Sequence, residues 1–409
     1  MNVLFIHQDM PGQFGRLAGY LASLPHHRVM FLGKRAGELP GGVTCVRYQP
    51  PVTRHSDPFL STFETAVLHG RAVAQACRDL RDQGFVPDVI VAHPGWGESL
   101  FVKDVLPHSK LINYCEFYYR AEGADVGFDP DDIVDDTAAA LLRSKNAHLL
   151  LSLEACDRGL SATQWQRRLH PAAYQDKIDV VFDGVEADTV RPNPAAMVHL
   201  PDGTKLSRRD TVVTFVARDL EPHRGFPQFM RALPDILGAL PQAHIVIAGG
   251  DGVSYGRKPQ DGRTWREVMC EEIRLSSSRV HFTGTLPYDT YLSLLQVSTA
   301  HVYLTVPFVL SWSFVESLSA GCLVVASDTP PVREFLRDGD NGLLCDMLDP
   351  TDIARKVIGA IRHHADLEAL RRRARQTVLG RLDCATCLPQ QHRLLLQVAG
   401  DEFGLERCA

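Results

Sequence analysis

The chain has 409 residues, of which 45% are hydrophobic, 22% charged and 8% aromatic. This length predicts two or three domains of about 150 residues each, and the composition excludes global disorder, collagen-like repeats and coiled coil. The 43 Lys+Arg and 49 Asp+Glu residues give a formal net charge of -6. That balance argues against a dedicated nucleic-acid-binding protein but is compatible with phosphate ligands.

Residues 1–10 contain neither a charged leader region nor a small-residue cleavage site, and no run of eighteen apolar residues follows. We therefore expect a cytoplasmic protein that does not span a membrane. Most of the ten cysteines lie in apolar runs, as is typical of reduced, buried thiols. Cys384 and Cys387 are close in sequence but have no second pair at zinc spacing, so we expect no metal site.

Short β-rich runs alternate with longer helical patterns, such as the amphipathic stretch 62–83. This alternation predicts βαβ units and a parallel sheet. It restarts after residue 210, which favours two separate open sheets. The strand candidates are residues 3–7, 28–32, 89–92 and 110–114, and then 211–217, 244–248, 280–282, 300–304 and 323–326.

Turn residues at 182–186 and 191–194 place a domain boundary near 186–196, and the polar stretch 201–210 follows without clear periodicity. We expect an N-terminal domain at 1–190, a C-terminal domain at 191–385, and a helix in 386–409 that could cross back to the first domain. Residues 371–375 form the densest basic run, which we interpret as a solvated helix face, with a membrane or nucleic-acid patch as the alternative.

Ligands of open parallel sheets bind beyond the carboxyl ends of the strands, so the loops after the strand candidates come first. The first strand runs into Gly12 and Gln13. Gly12 would let the backbone approach a ligand, and the next helix would present free N–H groups to an anion. A plain strand-to-helix turn is the alternative.

Two later loops carry phosphate-binding features. Arg218 and Arg224 lie six residues apart after the strand at 211–217, and two guanidinium groups on one loop could neutralise a diphosphate. Pairing with Asp219 and Glu221 at the surface is the alternative. The turn Gly249, Gly250 and Asp251 has little side chain to block a ligand, although it lacks the third glycine of a dinucleotide fingerprint.

The loop after residue 304 leads into an apolar helix that contains Glu316. A carboxylate is costly to bury unless it accepts hydrogen bonds, and a ribose diol would offer two donors. A surface glutamate whose side chain reaches solvent is the alternative.

These residues carry a resemblance to a known family. Over roughly residues 180 to 380, the chain resembles glycosyltransferase family 4, the retaining, nucleotide-sugar-dependent enzymes of the GT-B architecture. In the first half, His7-Gln8 with Pro11-Gly12-Gln13-Phe14 resembles one subgroup of that family. The matched pieces follow the family's order: residues 183–186, 218–225, 247–250, 280–284, 307–316, 320–327 and 341–344.

The resemblance implies roles for matching positions. Arg218 and Arg224 would hold the donor diphosphate, and Glu316 would grip the donor ribose. The family's first glutamate, which contacts the transferred sugar, is replaced here by Phe308, so the donor sugar does not follow from the resemblance. The backbone N–H groups of Leu310, Ser311 and Trp312 could still line the sugar and phosphate, as could the glycine turn at Gly249 and Gly250.

Two loops of the first half should open on the interdomain cleft. His93 could contact donor or acceptor, with a structural histidine as the alternative. Glu116 stands where many relatives have a histidine that contacts the donor sugar. Further side chains that could stack on or bind the acceptor are Trp96, Tyr118, Tyr119 and Arg120. Aromatic residues at a domain interface would look the same in sequence.

The expected fold is α/β, a GT-B architecture of two Rossmann-like doubly wound domains that face a cleft. The resemblance implies a hexosyltransferase that uses a nucleotide diphosphate sugar as co-substrate and needs no cofactor or metal. Its acceptor would be a hydroxyl of a glycan, lipid-linked sugar or natural product, with peripheral contact to the inner membrane face as an option and no nucleic-acid partner. A sugar-nucleotide epimerase and a non-catalytic nucleotide-sugar-binding protein are the alternatives.

Overall fold

A computed structural model describes residues 1–35, 37–52, 57–130, 132–274 and 277–400. The chain divides into two compact units. The first consists of Met1–Gly184 with the helix that begins at Cys384, and the second consists of Val185–Asp383. Within the described ranges, no helix combines the length and apolar character needed to cross a membrane.

The first unit contains a seven-stranded parallel sheet in the order β3-β2-β1-β4-β5-β6-β7. The four strand candidates of this half are present within one or two residues. The weaker signals of β3, β6 and β7 were missed, because these strands are short or exposed. The strands are β1 (Asn2–Ile6), β2 (Arg28–Gly33), β3 (Val43–Arg47), β4 (Val89–Ala92), β5 (Lys110–Tyr114), β6 (Arg158–Ser161) and β7 (Ile178–Val180).

The inner strands β1 and β4 are almost wholly apolar and buried, as expected for a parallel sheet covered on both faces. The long helix α2 begins at an Asp57 N-cap that accepts the Phe59 N–H, and it packs Val73, Cys77 and Leu80 into the core. The helices are α1 (Gly15–Ser23), α2 (Pro58–Asp82), α3 (Val102–Val105), α4 (Asp136–Lys145), α5 (Ala147–Ala155), α6 (Gln164–Leu169) and α7 (Ala172–Gln175).

The second unit begins with an antiparallel hairpin of β8 (Met197–His199) and β9 (Lys205–Ser207). The polar stretch 201–210 is therefore not entirely irregular, since three of its residues form β9. The hairpin buries Val198 and Leu206 among core residues of the neighbouring sheet. Strands this short give no readable periodicity in the sequence.

The main sheet of the second unit is parallel, with the order β12-β11-β10-β13-β14-β15. All five strand candidates of this half are present, and β15 was missed. The strands are β10 (Val212–Asp219), β11 (His244–Gly250), β12 (Val280–Gly284), β13 (Ala300–Tyr303), β14 (Val324–Ser327) and β15 (Leu343–Cys345). Its helices are α8 (Phe226–Ala239), α9 (Trp265–Glu272), α10 (Tyr288–Val297), α11 (Trp312–Ser319), α12 (Pro330–Arg333), α13 (Pro350–Arg362) and α14 (Glu368–Arg381).

The basic run at 371–375 is a solvated helix face only in part: Arg372 is exposed and the Arg373 side chain is 42% exposed, but two of its arginines turn inward. Arg371 is buried and donates to the Thr299 carbonyl. Arg375, one turn along α14, donates to the carbonyls of Ala187, Val190 and Ser319. These guanidinium groups satisfy backbone carbonyls inside the second unit, which a basic run in sequence does not reveal.

The helix α15 (Cys384–Ala399) belongs to the first unit. It packs near α1, and Gln391 donates to the carbonyl of Phe182. Cys387 is buried in it. The remaining residues of the expected C-terminal helix, 401–409, and with them Cys408, lie outside the described residues.

Candidate functional site

Each sheet reverses its strand order between two neighbouring strands, β1 and β4 in the first unit and β10 and β13 in the second. Loops that follow such strands diverge and leave a crevice, where open α/β sheets bind ligands. The predicted site residues lie at the ends of these strands, in the loops that follow them or their neighbours, or on α11. In the first unit Gln13, His93 and Glu116 come together, whereas in the second unit Arg224 and Glu316 have separate surroundings.

Arg224 is the centre of a cluster in the second unit. It ends a short 3-10 turn, Pro222–Arg224, that is closed by Gly225 at a φ of 66°. Its Nη1 donates to Thr305 Oγ1 at 2.7 Å and to Tyr303 Oη at 3.3 Å, and its Nη2 donates to the Val309 carbonyl at 3.2 Å. Because a guanidinium has five N–H groups, two are left without a partner among the described residues.

Aromatic rings surround the same guanidinium. Its Cζ lies 5.4 Å from the Tyr255 ring centroid and 5.8 Å from that of Phe308, and these two rings are 4.9 Å apart. A cation over an aromatic face is stabilised by the ring quadrupole, and more strongly so when it is desolvated. We call Arg224, Tyr255, Thr305 and Phe308 the Arg224 cluster; its guanidinium is held rigidly, as an anion-binding group should be.

Arg218 differs from Arg224 in being exposed. No hydrogen bond or ion pair joins its guanidinium to any residue that the structure describes. The carboxylates considered as its partners are used elsewhere: Glu221 accepts the backbone N–H groups of Ser254, Tyr255 and Gly256, and Asp219 accepts that of Gly252. The alternative that the two arginines are neutralised locally is therefore excluded.

The glycine turn has a packing role that the sequence did not show. A Cβ on Gly249 would lie 2.8 Å from the Ala217 carbonyl oxygen, and one on Gly250 would lie 2.8 Å from Asp219 Oδ1. The Asp251 carboxylate, predicted to bind donor, instead forms an ion pair with Arg266 at 2.6 Å. The glycines thus allow β10 and β11 to end close together, and Asp251 already has a cationic partner.

Glu316 is buried on α11, as expected for a carboxylate in an apolar helix, and its hydrogen bonds come from tyrosines. Tyr288 Oη donates to Oε1 at 3.1 Å and Tyr291 Oη donates to Oε2 at 2.7 Å. Burial and the adjacent carboxylate raise the pKa of Tyr291 well above its usual value, so this hydroxyl stays protonated. Tyr288 is 49% exposed, and a ribose hydroxyl could take its place as donor.

The backbone groups before α11 are partly occupied. The Ser311 N–H donates to Tyr303 Oη at 3.0 Å, so it is not free to line a phosphate as the sequence suggested. Leu310 is buried, whereas Trp312 is 37% exposed. Tyr303 itself was not predicted, because a buried tyrosine in a strand looks like a core residue in sequence.

In the first unit the loops after β1, β4 and β5 bring together Gln13, His93 and Glu116, which we call the Glu116 cluster. Gln13 Nε2 donates to Glu116 Oε1 at 2.7 Å. His93 Nδ1 accepts the Gly95 N–H at 3.1 Å, so the other ring nitrogen carries the proton and donates to Glu116 Oε2 at 3.3 Å. Burial alone would raise the pKa of the Glu116 carboxyl, but the hydrogen bonds from His93 and Gln13 hold it below its usual value.

A second histidine, His7, lies beside this cluster and was not predicted as a site residue. Its ring centroid is 5.0 Å from that of His93 and 5.2 Å from that of Trp96. Burial, with a further contribution from His93, lowers the pKa of His7 to about 4, so it is neutral at neutral pH. Gly12 is required here, because a Cβ would lie 2.6 Å from His7 Cε1 and φ is 51°.

The predicted acceptor residues are spread around this edge of the sheet. Trp96 stacks on His93 with centroids 4.8 Å apart. Lys145 Nζ lies 3.6 Å from the centroid of the Tyr119 ring, and the Tyr118 ring packs against that of His170. Arg120 turns away to donate to the carbonyls of Leu169 and Arg168. Arg120 therefore has a structural role at the end of α6, whereas Trp96 belongs with the Glu116 cluster.

A cavity of about 40 Å³ lies against His93 and Glu116 in the first unit and is also lined by Asn113, Tyr119 and His170. This volume accommodates water but not a sugar ring. In the described part of the chain, no three His, Cys, Asp or Glu side chains are grouped so that they could hold a metal ion.

Two family models match the chain in succession. Residues 25–190 match a model described as glycosyl transferase family 4 group, and residues 202–377 match one described as glycosyl transferases group 1. A phosphatidyl-myo-inositol mannosyltransferase from Mycolicibacterium smegmatis is 28% identical over 189 residues, 44% of this chain and 45% of that protein. A D-inositol 3-phosphate glycosyltransferase from Acidothermus cellulolyticus is 27% identical over 208 residues, 47% of this chain and 45% of that protein. The matched region therefore spans less than half the length of these relatives.

Solved structures resemble the chain over nearly its whole length. Sucrose-phosphate synthase from Thermosynechococcus elongatus has a TM-score of 0.70 at 13% identity, covering 98% of this chain and 99% of that one. Anabaena HepE in complex with UDP-glucose has a TM-score of 0.67 at 15% identity, covering 97% and 100%. At this identity the likeness shows the fold alone, and it confirms the expected α/β, GT-B class with two Rossmann-like domains.

Proposed function

The chain belongs to the family 4 glycosyltransferases, and on this premise we propose that it transfers a hexose from a nucleotide diphosphate sugar to a hydroxyl acceptor with retention of configuration. The observation that carries the donor half of the proposal is the pair of guanidinium groups after β10. Arg224 is fixed by three hydrogen bonds and two aromatic rings, and Arg218 is unpaired among the described residues. A diphosphate would bind to the preorganised guanidinium of Arg224 and to that of Arg218, whose side chain can adjust to the ligand.

In the proposed reaction the bond between the sugar C1 and the phosphate oxygen breaks while a bond from C1 to the acceptor oxygen forms. The acceptor hydroxyl gives its proton to the leaving phosphate, so the chain need not supply a base. Arg218 and Arg224 would stabilise the negative charge that develops on the diphosphate. We propose that the reaction needs no metal ion, since the charge of two guanidinium groups is available at this edge.

The nucleoside would lie further along the same edge, near Glu316. Its carboxylate holds one buried hydroxyl, Tyr291, and one exposed hydroxyl, Tyr288. A ribose diol could displace Tyr288 and donate to the same carboxylate. The solved HepE structure contains UDP-glucose, which supports a nucleotide-sugar donor.

We propose that the Glu116 cluster binds a sugar hydroxyl. Its carboxylate is held ionised by His93 and Gln13 and is 29% exposed, so it can accept a hydrogen bond from a ligand. A neutral hydroxyl is a better match than an anion, which the carboxylate would repel. The curated relatives are named for transfer to inositol compounds, and a polyhydroxylated acceptor suits this chemistry.

Phe308 favours one rival, a protein that binds a nucleotide sugar without transferring it, because the family has a carboxylate at that position. The test is incubation of the purified chain with UDP-, GDP- and dTDP-sugars and candidate polyol acceptors, with and without EDTA, followed by mass detection of nucleotide and sugar products. Acceptor-dependent release of nucleoside diphosphate that EDTA does not abolish supports the proposal. Isomerised sugar would indicate an epimerase, and tight binding without products would indicate the non-catalytic rival.

A further inference from the structure

The loop between β13 and α11, residues 304–311, carries only two polar side chains, Thr305 and Ser311. Its other residues are Leu304, Val306, Pro307, Phe308, Val309 and Leu310. The hydroxyls at its two ends are engaged: Thr305 Oγ1 accepts from Arg224 and donates to the Val306 carbonyl, and Ser311 Oγ bonds with Ser313 Oγ. The side chains of this loop therefore present an apolar surface to a ligand.

Some of its backbone N–H groups are also used. The Val306 N–H donates to the His223 carbonyl and the Ser311 N–H donates to Tyr303 Oη. Pro307 has no N–H. The N–H groups of Val309 and Leu310 have no partner among the described residues, so the hydrogen-bonding capacity left in this loop lies in its backbone and not in its side chains.

Across from the loop, the neighbouring elements add further rings. Phe308 packs edge-on against His223 with centroids 4.6 Å apart, and it lies 4.9 Å from Tyr255. Burial, with the adjacent Arg224, lowers the pKa of His223 to about 3, so this ring is neutral. Its Nε2 is buried and has no hydrogen-bond partner among the described residues. Phe308, Tyr255 and His223 therefore form an aromatic wall beside Arg224.

The aromatic wall lies close enough to the Arg224 guanidinium to contact a ligand that this guanidinium binds. Arg224 Cζ lies within 6 Å of the Tyr255 and Phe308 ring centroids. If Arg224 holds the donor diphosphate, the transferred sugar is one covalent bond away from that phosphate. The sugar must then lie within reach of the aromatic wall.

We propose that the transferred sugar is a deoxyhexose whose methyl or methylene group faces Phe308 and Tyr255. This inference rests on the proposed function and specifies its donor. A hydroxyl placed against the wall would lose its hydrogen bonds to water without gaining others. Hydrophobic pockets discriminate against one added hydroxyl by about 10- to 100-fold, and we expect a preference of that size.

The test compares donors that differ in one hydroxyl: GDP-D-mannose with GDP-D-rhamnose, and dTDP-D-glucose with dTDP-6-deoxy-D-glucose. The full chain is assayed for binding by calorimetry and for release of nucleoside diphosphate. We expect the deoxy member of at least one pair to be favoured by about tenfold or more. Equal or better use of the fully hydroxylated member in both pairs would overturn the inference while leaving the proposed function intact.

Two variants test whether the wall is responsible. Phe308→Glu places an acceptor for a hydroxyl in the wall and should reduce or reverse the preference; Phe308→Tyr, which changes the volume little, should reduce it. The matched control is Leu379→Glu, which adds the same charge at an exposed apolar residue of the same unit and should leave the preference unchanged. A preference that persists in both Phe308 variants would overturn the inference. Failure of every donor to bind or release nucleotide would contradict the proposed function itself and this inference with it.

Discussion

Tyr303 Oη accepts hydrogen bonds from both Arg224 Nη1, at 3.3 Å, and the Ser311 backbone N–H, at 3.0 Å. One buried hydroxyl thus connects the guanidinium after β10 with the start of α11. The Arg224 guanidinium is largely shielded from water, because Arg224 is only 8% exposed. The position of the candidate diphosphate-binding group therefore depends on a residue that looks like core.

Tyr303→Phe should lower donor affinity several-fold and reduce the free energy of unfolding of the second unit by about 1–3 kcal/mol, because the buried Arg224 guanidinium and the Ser311 N–H lose their acceptor. Calorimetry with the preferred donor and thermal unfolding measure the two effects. The matched control is Tyr48→Phe in the first unit, where Tyr48 Oη donates to buried Glu98 at 2.9 Å. It should cost stability without changing donor affinity, and equal affinities in the two variants would contradict the role assigned to Tyr303.

The two arginines should respond differently to replacement by alanine. Arg218→Ala should reduce turnover at least tenfold, about 1.4 kcal/mol, and leave the melting temperature unchanged, because the side chain is exposed and unpaired in the described structure. Arg224→Ala should reduce both, because it also removes three hydrogen bonds and two ring contacts. Steady-state kinetics measure the turnover of both variants, and thermal unfolding measures their melting temperatures. Wild-type turnover in Arg218→Ala would refute the site assignment.

Gly12→Ala should destabilise the first unit by about 1–3 kcal/mol, because the backbone is left-handed and the new Cβ would contact the His7 ring. Gly84→Ala is the matched control: φ there is 83°, and a Cβ would meet nothing within 4 Å. Thermal unfolding of the two variants separates backbone strain from the contact. If both lose the same stability, the contact with His7 contributes nothing.

Acid should destabilise the first unit before its carboxylates titrate. His7 has a pKa of about 4 in the folded chain against an ordinary value of 6.5, so the unfolded chain binds more protons between these values. His7 then contributes its full stability above pH 6.5 and loses up to about 1.4 kcal/mol per pH unit as pH decreases toward 4, and His170, whose pKa burial also lowers to about 4, adds a loss of similar size. Glu116, whose pKa is depressed, adds a further loss at lower pH. Melting temperatures across this range measure the slope. His7→Gln should reduce this slope, leaving the part due to His170, and His108→Gln, at an exposed position, should not change it. An unchanged slope in His7→Gln would contradict the role assigned to His7.

The strongly apolar strands of both sheets could be predicted from the sequence, because burial on both faces gives continuous hydrophobic runs. Short or exposed strands, such as β3 and β15, carry no such signal. Arg218, Arg224 and Glu316 could be singled out as candidates from residue type and position in the chain. The tyrosines that hold Glu316 and the carbonyls that hold Arg371 and Arg375 could not, because those partners are distant in sequence and are brought together by the fold alone.

Release of nucleoside diphosphate by the wild-type chain and by Arg218→Ala, measured with one donor in the presence of EDTA, tests the central claim most directly. The account predicts acceptor-dependent release by the wild type and at least a tenfold lower rate in the variant at the same melting temperature. The absence of release from every UDP-, GDP- and dTDP-sugar, or equal rates in the two proteins, would contradict it.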